Sequence, residues 1–221
     1  MTRAAGRRPA RGRRPAAPVA PRLRAPLLRA PLLLALLALA TASVATAQTE
    51  YYPAAVGTSW TYDDGETHRL SAWTDPPDGL PDGAVAVRRT HALRGVPISE
   101  ELLVVSADGV RAYGTAAGGV VTRYDPPLPL FPAAPLEAGT TWQGSARAGD
   151  VTWTIQGEVV GPRGVRTPAG RFNAVHVRRT VTTDTGARSR VDLFVVPSLG
   201  VVRRLTPDGA QVDLIEVTLG R

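Results

Sequence analysis

"AVAVRRTHAL" at residues 84–93 and "AVHVRRTVTT" at residues 174–183 decide how this chain is read: the pattern A-V-x-V-R-R-T is written twice, 90 residues apart. Alternate side chains of a strand share a face, so Val85 and Val87 lie on one side and the small Ala84 and Ala86 on the other. Other fragments recur in the same order. "PAAVGTSW" (53–60) answers to "PLEAGTTW" (135–142), Trp73-Thr74 to Trp153-Thr154, "PDG" (81–83) to "PAG" (168–170), and "ELLVVSADGV" (101–110) to "DLFVVPSLGV" (192–201). The offsets of 82, 80, 87, 90 and 91 drift slowly, as a duplicated module with loop insertions predicts. Each copy far exceeds a solenoid unit, so the expectation is two meanders rather than an array.

Punctuation predicts the strands. Runs rich in Val, Thr and aromatic residues are bounded by Gly, Pro and Asp clusters, the pattern of antiparallel strands. Ten are expected, at 58–63, 67–74, 84–93, 99–105, 109–124 with a Gly break, 140–146, 151–160, 172–182, 189–196, and 200–219 with a turn at "PDG" (207–209). Beyond the first 47 residues no stretch keeps a helical period for three turns. The fold class is therefore all-β: a strongly curved antiparallel sheet or unclosed barrel of about ten strands, built from two duplicated meanders. Repeat 1 spans about 53–124 and repeat 2 about 135–221. Between them "DPPLPLFPAAP" (125–135) reads as a stiff Pro-rich connector, because Pro suits neither helix nor central strand.

Residues 1–47 hold nine Arg, six Pro and no acidic residue, then an apolar run and "ATAQ". That order predicts a signal peptide cleaved after Ala47, leaving 48–221 as one β domain. The apolar run is shorter than the roughly 20 residues of a spanning helix, so no membrane span is expected after cleavage. The whole-chain charge of +7 then divides into +9 for the leader and −2 for the remainder, which sets 17 Arg against 19 Asp and Glu. Nucleic-acid binding needs clustered positive charge on the folded part, and the remainder interleaves both signs. With no Cys in the chain, the domain must rely on its core. These features predict a periplasmic or secreted protein.

Catalytic signatures are sparse. There is no G-x-S-x-G, and His68, His91 and His176 have no counterparts between the copies. With no Cys, no H-x-H and no His paired with a nearby second His, no metal and no cofactor are expected, and an enzyme is not. The repeated Arg pairs, Arg88-Arg89 and Arg178-Arg179, precede strands whose apolar runs begin at Glu101 and Asp192, which predicts cross-strand salt bridges. Trp60 and Trp142 are expected to anchor the start of each copy. Trp73, Trp153 and Phe194 are the candidate ligand-binding residues, on strands apolar enough to line a concave face.

The opening "YYPAAVGTSWTY", the internal "TPAGRF" and the closing "VVPSLGVVRR" resemble a broad group of exported bacterial β-sheet proteins whose opening reads Y-Y/F-P-x-x-x-G-x-x-W-x-Y. That group is similar to the LolA/LolB-like superfamily of lipoprotein carriers. The resemblance implies a curved antiparallel sheet whose concave side holds acyl chains, and it supplies no catalytic residue. The chain lacks the helices that plug the carriers' concave face. The functional expectation is an exported, non-enzymatic binding module for an apolar or amphipathic, lipid-like ligand; the alternative is an envelope structural or protein-interaction module that docks an envelope protein along a sheet edge.

Overall fold

The computed structural model describes residues 52–220. Its first half is a meander of β1 (Ser59–Tyr62), β2 (Glu66–Ala72), β3 (Val85–Leu93), β4 (Val96–Ser106), β5 (Gly109–Ala117) and β6 (Val120–Phe131). The second half follows as β7 (Thr141–Ala148), β8 (Val151–Thr167), β9 (Gly170–Thr183), β10 (Arg188–Val196), β11 (Gly200–Leu205) and β12 (Gln211–Thr218). Each strand pairs antiparallel with its neighbours in sequence, and β1 also pairs with β12. The described residues contain no helix, and none is long and apolar enough to cross a membrane.

The sheet is thus a closed barrel of twelve strands, which corrects the expected unclosed sheet of about ten. Two runs counted as one strand each fold back as hairpins, at Gly118-Gly119 and at Pro207–Gly209. Gly118 and Gly119 both have positive φ, +57° and +81°, which only a residue without Cβ adopts without strain. Closure follows because twelve twisted strands bring β12 beside β1, and a ring has no bare edge. The sparsest seam of the ring is β6–β7, where a single residue pair, Asp125 and Arg147, is matched.

The Pro-rich stretch also differs from expectation, because β6 runs through residues 120–131. Proline has no N–H to donate, so the ladder adapts. Pairing with β7 shrinks to Asp125 opposite Arg147, and pairing with β5 shifts register twice. Apolar burial holds the segment in place, with Leu128, Leu130 and Phe131 all buried. The leader predicted at 1–47 and its cleavage lie outside the described residues.

Alternation settles the inside. Val87 and Arg89 of β3 face inward with Leu103 and Glu101 of β4, opposite which they pair. Leu70, Ile155, Val159, Val177, Val202 and Leu214 complete the interior at full or near-full burial, each contributing about 1.5–3 kcal/mol relative to exposure. Ion pairs such as Arg88–Glu100 (3.1 Å) and Arg178–Glu158 (3.3 Å) lie on the outer face. That polarity is the reverse of a lipid-facing barrel.

The halves can be compared by register. Val85 pairs with Val105 and Val175 with Val195, both pairs 90 residues apart, and Val87–Leu103 likewise matches Val177–Leu193. The offset of 91 read from "ELLVV" and "DLFVV" is therefore one too long, and a slip of one exchanges faces: Glu101 points in and Asp192 out. The tryptophans shift further. Leu70 is the partner of Arg89 and Gly157 that of Arg179, yet Trp60 pairs with His68 while Trp142 pairs with Gly157 itself. A Cβ on Gly157 would stand 2.1–2.5 Å from three atoms of the Trp142 ring, so the indole lies flat on the glycine.

Candidate functional site

Two polar side-chain groups of β1 reach past β12 and tie β1 to β11 and the turn before it. Trp60 Nε1 donates to Leu199 O (2.6 Å) and Tyr62 Oη to Val201 O (3.0 Å). Beside them lies a cavity of about 190 Å³. Its apolar wall includes Trp60, Phe131, Val191, Leu193 and Val201; its polar wall includes His68, Arg89, His91, Glu101, Arg179 and Arg204.

The polar wall is an ordered network. Arg89 donates through Nε to Glu101 Oε2 (2.7 Å) and through Nη1 to Tyr52 Oη (2.6 Å), and its Nη2 also meets Glu101. His91 bridges two carboxylates, Nε2 to Glu101 Oε2 (3.2 Å) and Nδ1 to Glu66 Oε1 (3.1 Å). Glu66 Oε1 also meets His68 Nε2 (2.9 Å), while its Oε2 accepts from Arg204, which reaches Asp64 as well (2.7 Å). His68 and His91 face each other across β2 and β3, with ring centroids 4.1 Å apart. The expectation that no His has a nearby second His is corrected here.

Burial and charge pull these groups in different directions. Burial pushes the His68 imidazole down to about 4, against the pull of Glu66. His91 goes the other way: burial opposes its charge, but its hydrogen bonds to the Glu101 and Glu66 carboxylates outweigh that and raise its pKa. Burial likewise works against the charges of Glu66 and Glu101. The histidines and Arg204 around the first, and Arg89 and His91 around the second, still hold both carboxyls well below the usual range.

Arg179 stands apart. It occupies on β9 the place that Arg89 occupies on β3, but the residue opposite it on β10 is Val191, where Arg89 has Glu101. Among the described residues it has no hydrogen bond or ion pair, and its Nε is sealed from solvent without a partner. Its guanidinium lies 5.8 Å from the Phe131 ring centroid and opens on the cavity. Burial lowers its pKa, with Glu101 pulling back. A half-buried guanidinium with no hydrogen-bonded or ion-paired partner is unusual, because nothing directly offsets the water it gives up.

The residues picked from sequence fall in three separate places. Trp73, just past the end of β2, is buried on the outer face with Leu102 and Val104 beneath the segment 73–86. Trp153 packs edge-on against Tyr124 (6.2 Å) at the rim of the main core. Phe194 faces outward between buried Leu193 and Val195 and stacks on His176 (4.8 Å, 10°). None of the three lines the 190 Å³ cavity. The predicted cross-strand bridges are present, in different forms: Arg89 to Glu101 inside, and Arg178 to Asp192 (3.2 Å) outside, where His176 also holds Asp192 (2.7 Å). The interior network joins neighbouring strands of one copy, so a comparison between copies does not reveal it. The signal was Glu-x-His in β2 facing Arg-x-His in β3.

No family model and no curated protein matches the chain. Among solved structures it is similar to a protein from Parabacteroides distasonis ATCC 8503 described as a lipoprotein, at 13% identity and a TM-score of 0.46, covering 76% of this chain and 98% of that one. It is also similar to a protein from Bacteroides fragilis NCTC 9343 described as exported and of YmcC-like fold, at 15% identity and a TM-score of 0.42, covering 74% and 96%. Similarity at this level is one of outline and carries no functional weight.

Proposed function

We propose that the chain is an exported, non-enzymatic binding module, built from two duplicated meanders, whose interior takes a small amphipathic molecule with an anionic head. The observation that carries this reading is Arg179, a half-buried guanidinium with no hydrogen-bond or ion-pair partner among the described residues, which lines a cavity whose other wall is largely apolar. A carboxylate there supplies the missing counter-charge, and the Arg fork matches its two oxygens. Trp60, Val191 and Leu193 receive the apolar body. Size narrows the ligand. A dry cavity of about 150 Å³ accepts benzene, so 190 Å³ suits a ring-sized or short-chain acid better than a full acyl chain. The resemblance of the opening motif to carrier-like exported proteins fits the same reading with a smaller cargo, as does release into the periplasm or beyond after cleavage at Ala47.

Titration calorimetry of the protein with benzoate and hexanoate, and with benzamide and hexanol as neutral counterparts, tests it. The acids are expected to bind saturably and to change Trp60 fluorescence. Arg179→Met is expected to weaken them about tenfold or more, the worth of a charged hydrogen bond. Equal affinity for acids and neutral counterparts, or unchanged affinity in Arg179→Met, overturns the proposal.

A further inference from the structure

The second cluster in the cavity wall has a chemistry of its own. Glu66 Oε1 and one nitrogen each of His68 and His91 all lie within 4.8 Å of one another, with contacts of 2.9 and 3.1 Å from the carboxylate oxygen to the two imidazoles. We propose that Glu66, His68 and His91 form a binding site for a first-row divalent transition metal of the Zn²⁺ type. This goes beyond the anion-binding reading and does not rest on it, since Arg179 takes no part.

The donor set fits. Two imidazoles and a carboxylate are the three protein ligands of many zinc sites that keep a fourth position open. With metal–ligand distances near 2.0–2.2 Å, tetrahedral donors stand about 3.3–3.5 Å apart. The cluster reaches that spacing by opening its two hydrogen bonds by a few tenths of an ångström and drawing the imidazoles together. Backbone placement requires little adjustment, because Glu66 and His68 are i and i+2 on one face of β2 and His91 pairs directly with His68.

The groups behind the donors carry the argument further. A metal-bound imidazole normally donates its other N–H to a carboxylate, which fixes the ring and its tautomer. His91 has that arrangement: Nδ1 turns to the cluster and Nε2 meets Glu101, itself anchored by Arg89. The carboxylate ligand is held in the same way, its Oε1 turned to the histidines and its Oε2 fixed by Arg204. With neutral imidazoles, the carboxylates of Glu66, Glu101 and Asp64 are matched by the guanidinium groups of Arg89 and Arg204, which touch them, and of Arg179, which lines the same cavity, so the surroundings carry no net charge before a metal enters. His68 and His91 also line the cavity, so a fourth coordination position opens on space.

The chain has three histidines, and the third, His176, lies on the outer face against Asp192 and serves as the internal control. The test is calorimetric titration of the full chain with ZnCl₂ and CoCl₂, alongside the visible spectrum of the Co²⁺ form. One metal per chain is expected, with the intense visible absorption of low-coordinate Co²⁺. His91→Asn and Glu66→Gln are each expected to weaken binding at least about 100-fold, more than loss of an outer-shell group does, and His176→Ala to leave it within about twofold. Absence of saturable binding, the faint spectrum of six-coordinate Co²⁺, or dependence on His176 in place of His91 overturns the proposal. Should both ligand variants fail to fold, the stoichiometry and Co²⁺ spectrum of the unaltered chain decide between the same outcomes. Metal binding and acid binding are scored on different variants, so either proposal can fail while the other stands.

Discussion

Replacing Arg179 with Met is expected to make the protein more stable, while the same replacement at Arg89 destabilises it. The two residues hold matching places on β9 and β3, 90 residues apart, and both are half-buried in the wall of the same cavity. Their surroundings differ in sign. Arg89 has three hydrogen bonds, two to Glu101 and one to Tyr52. Its removal strands a buried carboxylate that keeps only His91, the situation in which breaking a buried pair costs about 3–5 kcal/mol. Arg179 strands nothing, because among the described residues it has no bond to lose beyond its approach to the Phe131 ring, worth about 0.5–2 kcal/mol. Met keeps much of the apolar stem and removes a desolvated charge, and apolar replacement of buried ionic groups gains about 1–4 kcal/mol. Taking the middle of both ranges, a net gain of about 1 kcal/mol follows at Arg179. Urea denaturation followed by far-UV circular dichroism reads both: the midpoint rises for Arg179→Met at unchanged slope and falls for Arg89→Met. Thermal midpoints move about 2–4 °C per kcal/mol for a domain of this size. A lower midpoint for Arg179→Met refutes the claim that this charge lacks a partner, and with it the reasoning that the protein keeps it for a ligand.

Three further outcomes are expected. Gly157→Ala pushes a methyl into the Trp142 indole, whose Nε1 donates to Pro129 O (3.1 Å); a loss of about 1–3 kcal/mol and altered Trp emission are expected, and neutrality contradicts the packing. Trp73→Ala costs about 3–5 kcal/mol as a buried aromatic, and neither it nor Phe194→Ala changes benzoate affinity by more than about twofold, since neither lines the cavity; calorimetry on each variant checks this. Asp192 gives the pH dependence. Burial acts to raise its pKa, but the hydrogen bond from His176 and the charges of Arg190 and Arg178 outweigh it and hold it below the ordinary value. A depressed folded-state pKa contributes stability that is fully present above the unfolded value, about 3.9, and is lost as pH falls from there through the lower folded-state value. The stability gap between the unaltered protein and Asp192→Asn should be full at neutral pH and close as the medium is acidified, and a gap independent of pH contradicts the bridge.

Strands were legible from their borders, because Gly, Pro and Asp clusters break the ladder for local reasons. The count of strands was less so: "GTAAGGVVTRY" and "VVRRLTPDGAQVDL" each hide a reversal inside an otherwise continuous apolar run. Closure depends on the accumulated twist and stagger of all twelve strands, a sum no local motif records. Faces were harder still. "LFVV" is apolar on both sides, so nothing in it says that Leu193 and Val195 turn inward and Phe194 outward; the register against Val177 and Val175 decides. The interior cluster depends on a pairing of the same kind. His68 and His91 are separated by a loop that has no fixed length rule, and only the β2–β3 register sets them face to face. The expected strand 67–74 includes Trp73, yet β2 stops at Ala72 and the indole folds over the outside of β4.

The junction of β1 with β12 bears on how the molecule comes into being. A hydrogen bond from Gly220 N to Thr58 Oγ1 spans 162 residues, and Trp60 and Tyr62 each reach 139 residues along the chain for a carbonyl. Contacts this distant are made late and slowly, since the loop they close must be gathered first. Until β12 arrives, the nascent sheet carries two naked hydrogen-bonding margins and an oily trough, the state most prone to self-association. Deleting β12 alone should therefore leave an aggregating trough in place of a slightly smaller ring.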